Sequence, residues 1–278
     1  MNPVRNNGVR EGVSNGVNRI EAKFKKLKKE KKKAFIAFIT AGYPDLNTTR
    51  KLLFEFDRIG VDLVELGVPF SDPLADGPLI QEASQAALKK KVNLGAILNL
   101  VKTVRKRINL PLCLMTYYNP IFAFGEKAFV KKALESGVDG VIIPDLPPEE
   151  GKGFIKLAHK LGLDVICFIS PTTSSRRIKY IANLARGFIY YVSLTGVTGP
   201  RQNLPAELIT NLKKLKKHTS KPICVGFGVS SRPQIEQIYR VADGVIVGSA
   251  IIRQIRSYIG KPDLVKKVSN FTQKIKSV

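Results

Sequence analysis

From Ala34 onward the chain repeats one pattern: a short unbroken run of Val, Ile, Leu and Phe, then a longer stretch whose apolar residues recur every three or four positions. The runs predict strands at Ala34 to Thr40, Leu63 to Leu66, Leu112 to Thr116, Gly140 to Ile143, Val165 to Ile169, Phe188 to Val192, Ile223 to Val225 and Gly244 to Val247. None alternates apolar with polar residues, as expected of parallel strands covered on both faces. The periodic stretches predict helices at Thr49 to Ile59, Leu79 to Lys91, Leu94 to Ile108, Glu126 to Ser136, Glu149 to Leu161, Ser174 to Leu184, Pro205 to His218, Arg232 to Tyr239 and Asp263 to Lys276. A weak internal repeat marks the unit: GVDLVEL, GVDGVIIPD and VADGVIVGS each put a small-residue turn and an Asp before a strand. Strand and helix alternating eight times predict an α/β fold, a (β/α)8 TIM barrel. An open doubly wound sheet is the competing architecture, but no GxGxxG follows the first strand.

Ahead of this pattern, Ile20, Phe24 and Leu27 recur at helical spacing, so Arg19 to Lys31 is an extra N-terminal helix that can plug the bottom of the barrel. Residues 1–18 are polar, rich in Asn and Gly, and without periodicity. They are expected to be a disordered extension, leaving 19–278 as one barrel domain.

Composition changes this picture little. With 44% hydrophobic residues among 278, the chain can build a large core. No apolar run reaches the roughly 20 residues of a membrane span and no secretory signal is visible, so the expected location is the cytoplasm. Cys113, Cys167 and Cys224 lie in separate apolar runs with no CxxC, and the two histidines fall in Lys-rich helices, so reduced buried thiols and no metal site are expected. The 46 Lys and Arg against 22 Asp and Glu give a net charge of +24. The lysines are spread over many helices, with one dense cluster at Lys23 to Lys33, and no nucleic-acid motif accompanies them, which points to solvated helix faces, with general steering of a phosphorylated ligand as the alternative, and to no nucleic-acid partner.

The chemistry gathers where strands lead into helices. Those segments carry TAGYPD, ELGVPFSDPLADGP, TYYNPIFAFG, PDLPPEE, SPTTSS, SLTGVTGPRQN, GFGVSS and GSAI, whereas the opposite connections are plain. In a barrel the first set forms the working face. Glu65 ends a strand and Asp76 lies on the loop that follows, a rigid carboxylate facing a movable one. GFGVSS and GSAI, after the seventh and eighth strands, read as a phosphate cradle: Gly226, Gly228 and Gly248 for close backbone approach, Ser230 and Ser249 as hydroxyl donors.

FITAGYPD, VELGVPFSDPLADGPLIQ, YYNP, VIIPDLPPEE, GVTG, GFGVSS and GSAI, in this order, resemble the alpha chain of tryptophan synthase. The resemblance spans Arg19 to Ser277. It implies a phosphate-binding barrel that cleaves indole-3-glycerol phosphate to indole and glyceraldehyde 3-phosphate, with no cofactor of its own. It also implies a beta-chain partner in an alpha-beta-beta-alpha heterotetramer, which joins indole to serine on pyridoxal phosphate. Carried over, Glu65 is the acid/base and Asp76 the partner of the indole nitrogen. Phe38, Ile80 and Phe227 line the indole slot, Tyr117 and Tyr190 give it aromatic and hydroxyl contacts, and Gly199, Gly228, Gly248 and Ser249 cradle phosphate. Thr198 corresponds to a loop threonine that closes over Asp76, and Asp145 lies near the site. Pro69, Phe70, Ser71, Asp72, Asn119, Pro120 and Phe122 correspond to the beta-chain interface, with exposed Pro and Phe as its apolar part. Two features depart from the family: the N-terminal extension, and Pro200 after Gly199 where Ala is more usual. A stand-alone lyase releasing indole, and a non-catalytic phosphate-binding barrel that activates a partner, are the competing readings.

Overall fold

Eight parallel strands pair in sequence order and close on themselves: β1 (Ala34–Thr40), β2 (Leu63–Gly67), β3 (Leu112–Met115), β4 (Gly140–Ile142), β5 (Asp164–Ile169), β6 (Ile189–Val192), β7 (Ile223–Gly226) and β8 (Gly244–Val247). β8 returns to β1 with Ala34 opposite Gly244. The structure, a computed structural model, describes residues 17–192, 206–226 and 228–277. Twelve helices lie among the described residues: α1 (Arg19–Lys29), α2 (Leu46–Arg58), α3 (Pro78–Lys89), α4 (Leu94–Val104), α5 (Tyr118–Phe124), α6 (Glu126–Ser136), α7 (Lys152–Leu161), α8 (Ser175–Leu184), α9 (Ala206–Lys216), α10 (Arg232–Tyr239), α11 (Ser249–Ser257) and α12 (Leu264–Lys276). Each expected strand is found within a residue or two of its predicted bounds, because an unbroken apolar run long enough to cross the barrel wall has no other place to bury both faces.

The aspartates of the internal repeat organise the bottom. Asp62 Oδ2 accepts from Phe35 N at 2.9 Å, Asp139 Oδ2 from Leu112 N at 2.8 Å, and Asp243 Oδ2 from Ile223 N at 3.1 Å. Each carboxylate thus takes an N–H at the start of the neighbouring strand, β1, β3 or β7, and satisfies a donor that burial would leave costly. Cations complete the collar: Lys23 on Asp62, Arg19 and Arg105 on Asp139, and Lys33 and Lys216 on Asp243. α1 supplies two of these and plugs the barrel as expected. Its Ile20 and Phe24 are buried, and Phe24 packs on Phe188 with ring centroids 5.7 Å apart.

Several boundaries differ from expectation for local physical reasons. α1 stops at Lys29, and Lys31 turns to φ 54°. α4 ends at Val104, where Arg105 turns away to bond the carbonyls of Gly137 and Leu110 at 2.7 Å each. α7 begins at Lys152 instead of Glu149, beyond a turn in which Gly151 N donates to Pro147 O. TYYNPIFAFG, expected as loop, contains α5. The N-cap residue of that helix, Tyr117, makes no side-chain capping bond, and Asp145 Oδ1 accepts Tyr118 N at 2.9 Å instead. Asp145 therefore anchors a helix on the working face.

Candidate active site

Glu65 sits in the middle of β2, opposite Phe38 on β1 and Cys113 on β3. Its side chain is fully buried, and neither carboxylate oxygen has a hydrogen-bond partner. Burial alone pushes its pKa from 4.5 up to about 8, because an ionised carboxylate here gives up water and receives nothing in return. At neutral pH Glu65 holds a proton. An acid poised near the working pH can both give and take one.

Asp76 lies eleven positions on, in the β2–α3 connection. Burial raises its pKa, and the Tyr117 hydroxyl, bonding toward its carboxylate, pulls it back. Tyr117 lies two residues beyond β3 and is itself buried. It grips the loop at further points: Ala75 N donates to its oxygen at 2.9 Å, and its ring stacks on Phe70 with centroids 5.1 Å apart. Gln81 Nε2 donates to Asp76 O at 2.8 Å, tying the loop to the first turn of α3. The phenol is pushed up to about 12, chiefly by burial, with the facing Asp76 adding to the rise. Tyr117 therefore positions Asp76 as well as lining the site.

Phe38, Asp76, Ile80 and Tyr117 share one cavity of about 10 Å³ at the barrel mouth. Gly67 lines it too, and Glu65, two residues earlier on the same face of β2, lies one step below. Glycines make room for the rings. A Cβ on Gly67 would lie 2.7 Å from Phe38 Cζ, and one on Gly248 3.1 Å from Phe38 Cδ1. A Cβ on Gly226 would meet the Tyr190 hydroxyl and lie 2.5 Å from Tyr190 Cε1. Gly226 and Gly248, expected only as backbone for phosphate, thus also clear space for two aromatic side chains. Tyr190 packs on Phe168 at 4.8 Å.

At the phosphate end, Gly228 has φ +68° and open space where a Cβ would be, which leaves its backbone free to meet a ligand. Gly248 is the N-cap of α11, whose first turn has no side-chain cap, and Ser249 opens the helix half-buried. Ser230 is otherwise engaged: Gln234 Oε1 accepts its N–H at 2.9 Å, so this serine belongs to the start of α10. Thr198, Gly199 and Phe227 lie outside the described residues, as do residues 1–16 and Pro200.

Of the expected interface residues, Ser71, Asp72, Asn119 and Phe122 are exposed or half-exposed, Phe122 to 67%, while Pro120 is half-buried. Pro69 corrects the expectation of an exposed proline: it is buried within the chain, and Phe70 is half-covered by its stack on Tyr117. Two features of the working face escaped the sequence reading. Leu74 stands 88% exposed on the β2–α3 loop, and Thr40, whose buried hydroxyl has no partner, lines the same cavity as Phe38 and Asp76. A lone Leu in a loop and a Thr ending a strand carry no local signal.

Comparison with known proteins decides the family: the model described as "Tryptophan synthase alpha chain" matches residues 24–278. The chain belongs to the tryptophan synthase alpha chain family. It is 48% identical over 259 residues to the tryptophan synthase alpha chain of Geotalea daltonii, covering 93% of this chain and 98% of that one. Tryptophan synthase subunit alpha from Legionella pneumophila superposes with a TM-score of 0.86 at 38% identity, covering 94% of this chain and 98% of that one. A chain from the tryptophan synthase a2b2 complex of Pyrococcus furiosus gives 0.83 at 35% identity, covering 88% and 98%. As a tryptophan synthase alpha subunit, the protein is a carbon–carbon lyase of tryptophan biosynthesis, cleaving indole-3-glycerol phosphate to indole and glyceraldehyde 3-phosphate. No described helix is long and apolar enough to cross a membrane.

Proposed function

We propose that Glu65 carries both proton transfers of the cleavage. It gives its proton to the ring carbon bearing the side chain and then takes the proton of the adjacent side-chain hydroxyl. As that hydroxyl becomes the aldehyde, the carbon–carbon bond breaks and its electron pair returns to the ring, so the carboxyl ends as it began. Asp76 accepts the indole N–H and stabilises the positive charge of the protonated ring. The observation that carries this reading is the fully buried Glu65 with both carboxylate oxygens unpartnered, burial that pushes its pKa up to about 8. Phe38, Ile80, Tyr117, Tyr190 and Phe227 hold the ring; Gly199, Gly228, Gly248 and Ser249 hold phosphate; Thr198 meets Asp76. No step of this chemistry needs a metal or a cofactor on this chain.

Residues 19–278 act as one barrel domain in the cytoplasm, and indole passes to a beta chain that holds pyridoxal phosphate, in an alpha-beta-beta-alpha assembly. The Pyrococcus furiosus complex supports the partner, and so does the apolar group of Leu74, Phe122 and Phe124, all exposed on working-face loops or on α5. Ser71, Asp72, Asn119 and Pro120 complete that surface. The test mixes the chain with indole-3-glycerol phosphate, with and without a beta chain, and follows indole. Slow release that accelerates with beta supports the account. Fast release alone favours a stand-alone lyase, and no release despite phosphate-ligand binding favours a non-catalytic barrel.

A further inference from the structure

A second cavity, of about 180 Å³, opens between β5 and the helices α7 and α8. It is far larger than the reaction cavity, and Pro144 is a wall common to both. Its inner lining comes from buried apolar side chains, among them Ile143, Ile155, Cys167 and Ile169. Ser170, Thr173 and Arg177 form its polar end. The cavity opens to solvent at its polar end and has an apolar floor, the usual form of a small-molecule pocket. An apolar cavity of about 150 Å³ is enough to take benzene.

The polar end narrows the class of ligand. Arg177 is already neutralised by Glu149, at 2.8 and 3.2 Å, so it offers no free charge to an anion. Ser170 Oγ lies 3.0 Å from the Thr172 hydroxyl and 3.1 Å from that of Thr173, and when it donates to one of them and accepts from the other it has one lone pair left for an N–H. We propose that this cavity is a second binding site for a small, neutral, flat aromatic molecule with a single ring N–H, the class to which the product indole belongs. The ring lies against Ile155 and Cys167, with its N–H toward Ser170. Occupancy reaches the reaction through Pro144 and through Phe168, which lines this cavity and packs on Tyr190. Indole held here acts as a product inhibitor that does not compete directly with substrate. The family reaction supplies only the identity of the probe.

The test titrates the full chain with indole by calorimetry and follows indole inhibition of cleavage. Wild type is expected to bind two equivalents. Cys167→Phe, which fills the cavity, is expected to weaken one of them at least tenfold, and the cleavage that remains is expected to lose the non-competitive part of the inhibition. Asp76→Asn is expected to weaken the other equivalent, so failure of the reaction-site assignment remains distinguishable from failure of this proposal. If Cys167→Phe does not fold, Cys167→Leu and the anomalous signal of 5-bromoindole soaked into wild-type crystals give the same reading. A single equivalent in wild type that Cys167→Phe leaves undisturbed, two undisturbed equivalents in Cys167→Phe, or bromine only in the reaction cavity overturns the proposal.

Discussion

Replacing Glu65 with Gln should change how stability depends on pH. In the folded chain this carboxyl keeps its proton up to about 8, whereas its ordinary value is 4.5. Between these values the native state holds one proton that the unfolded chain has lost, so rising pH favours unfolding. The slope is about 1.4 kcal/mol per pH unit for one proton. Across the interval the Glu65 contribution falls by about 5 kcal/mol, an order-of-magnitude figure. The stability is fully present below 4.5, declines through neutrality and levels off above about 8. The Glu65→Gln side chain has no proton to lose, so the variant lacks this decline. Its buried amide also lacks an evident partner, so the comparison lies in the slopes and not in the absolute stabilities. Asp164, likewise raised to about 7 by burial, adds a decline of the same sign to both proteins and cancels in the difference. The assay is urea unfolding of both proteins from pH 5 to 9. Parallel curves across that range would refute the claim that Glu65 is protonated in the folded state.

Three further outcomes follow from the same geometry. Asp76→Asn should lower indole release about 10²- to 10³-fold with stability nearly unchanged, as loss of a single charge-stabilising group does; turnover near wild type in a steady-state assay would remove its role. Tyr117→Phe takes away the acceptor for Ala75 N and the hydroxyl facing Asp76, so Asp76 should ionise at higher pH. The acidic limb of the pH–rate profile should move up and the rate fall about tenfold or more, and an unmoved limb would contradict the assignment. Gly226→Ala drives a methyl into the Tyr190 ring and should cost about 1–3 kcal/mol in thermal unfolding, with loss of cleavage; an undisturbed variant would show that Tyr190 has room to move.

Much of the barrel was legible because the signals are local. Runs such as AFIAFIT and GVIV must be strands buried on both faces, and eight of them interleaved with amphipathic helices leave few other ways to fold. The repeated Asp was visible as a repeat, but its purpose required the neighbouring strand, since Asp139 caps Leu112 from 27 residues away. α5 escaped for the same reason: its cap, Asp145, belongs to the next βα connection. Glu65 and Asp76 stood out through their motif. What the sequence could not show is that Glu65 is fully buried without a hydrogen-bond partner, so that nothing offsets the burial that raises its pKa. Nor could it show that Gly67 is there for the Phe38 ring, or that Pro69 turns inward.

The central claim is that one buried carboxyl moves both protons. Its most direct test is indole release from indole-3-glycerol phosphate by Glu65→Gln, beside the affinity of the same variant for a non-cleavable indole phosphate. The account predicts cleavage lowered by about 10²- to 10⁴-fold or abolished, with binding within a few-fold of wild type. Cleavage within about tenfold of wild type would contradict it.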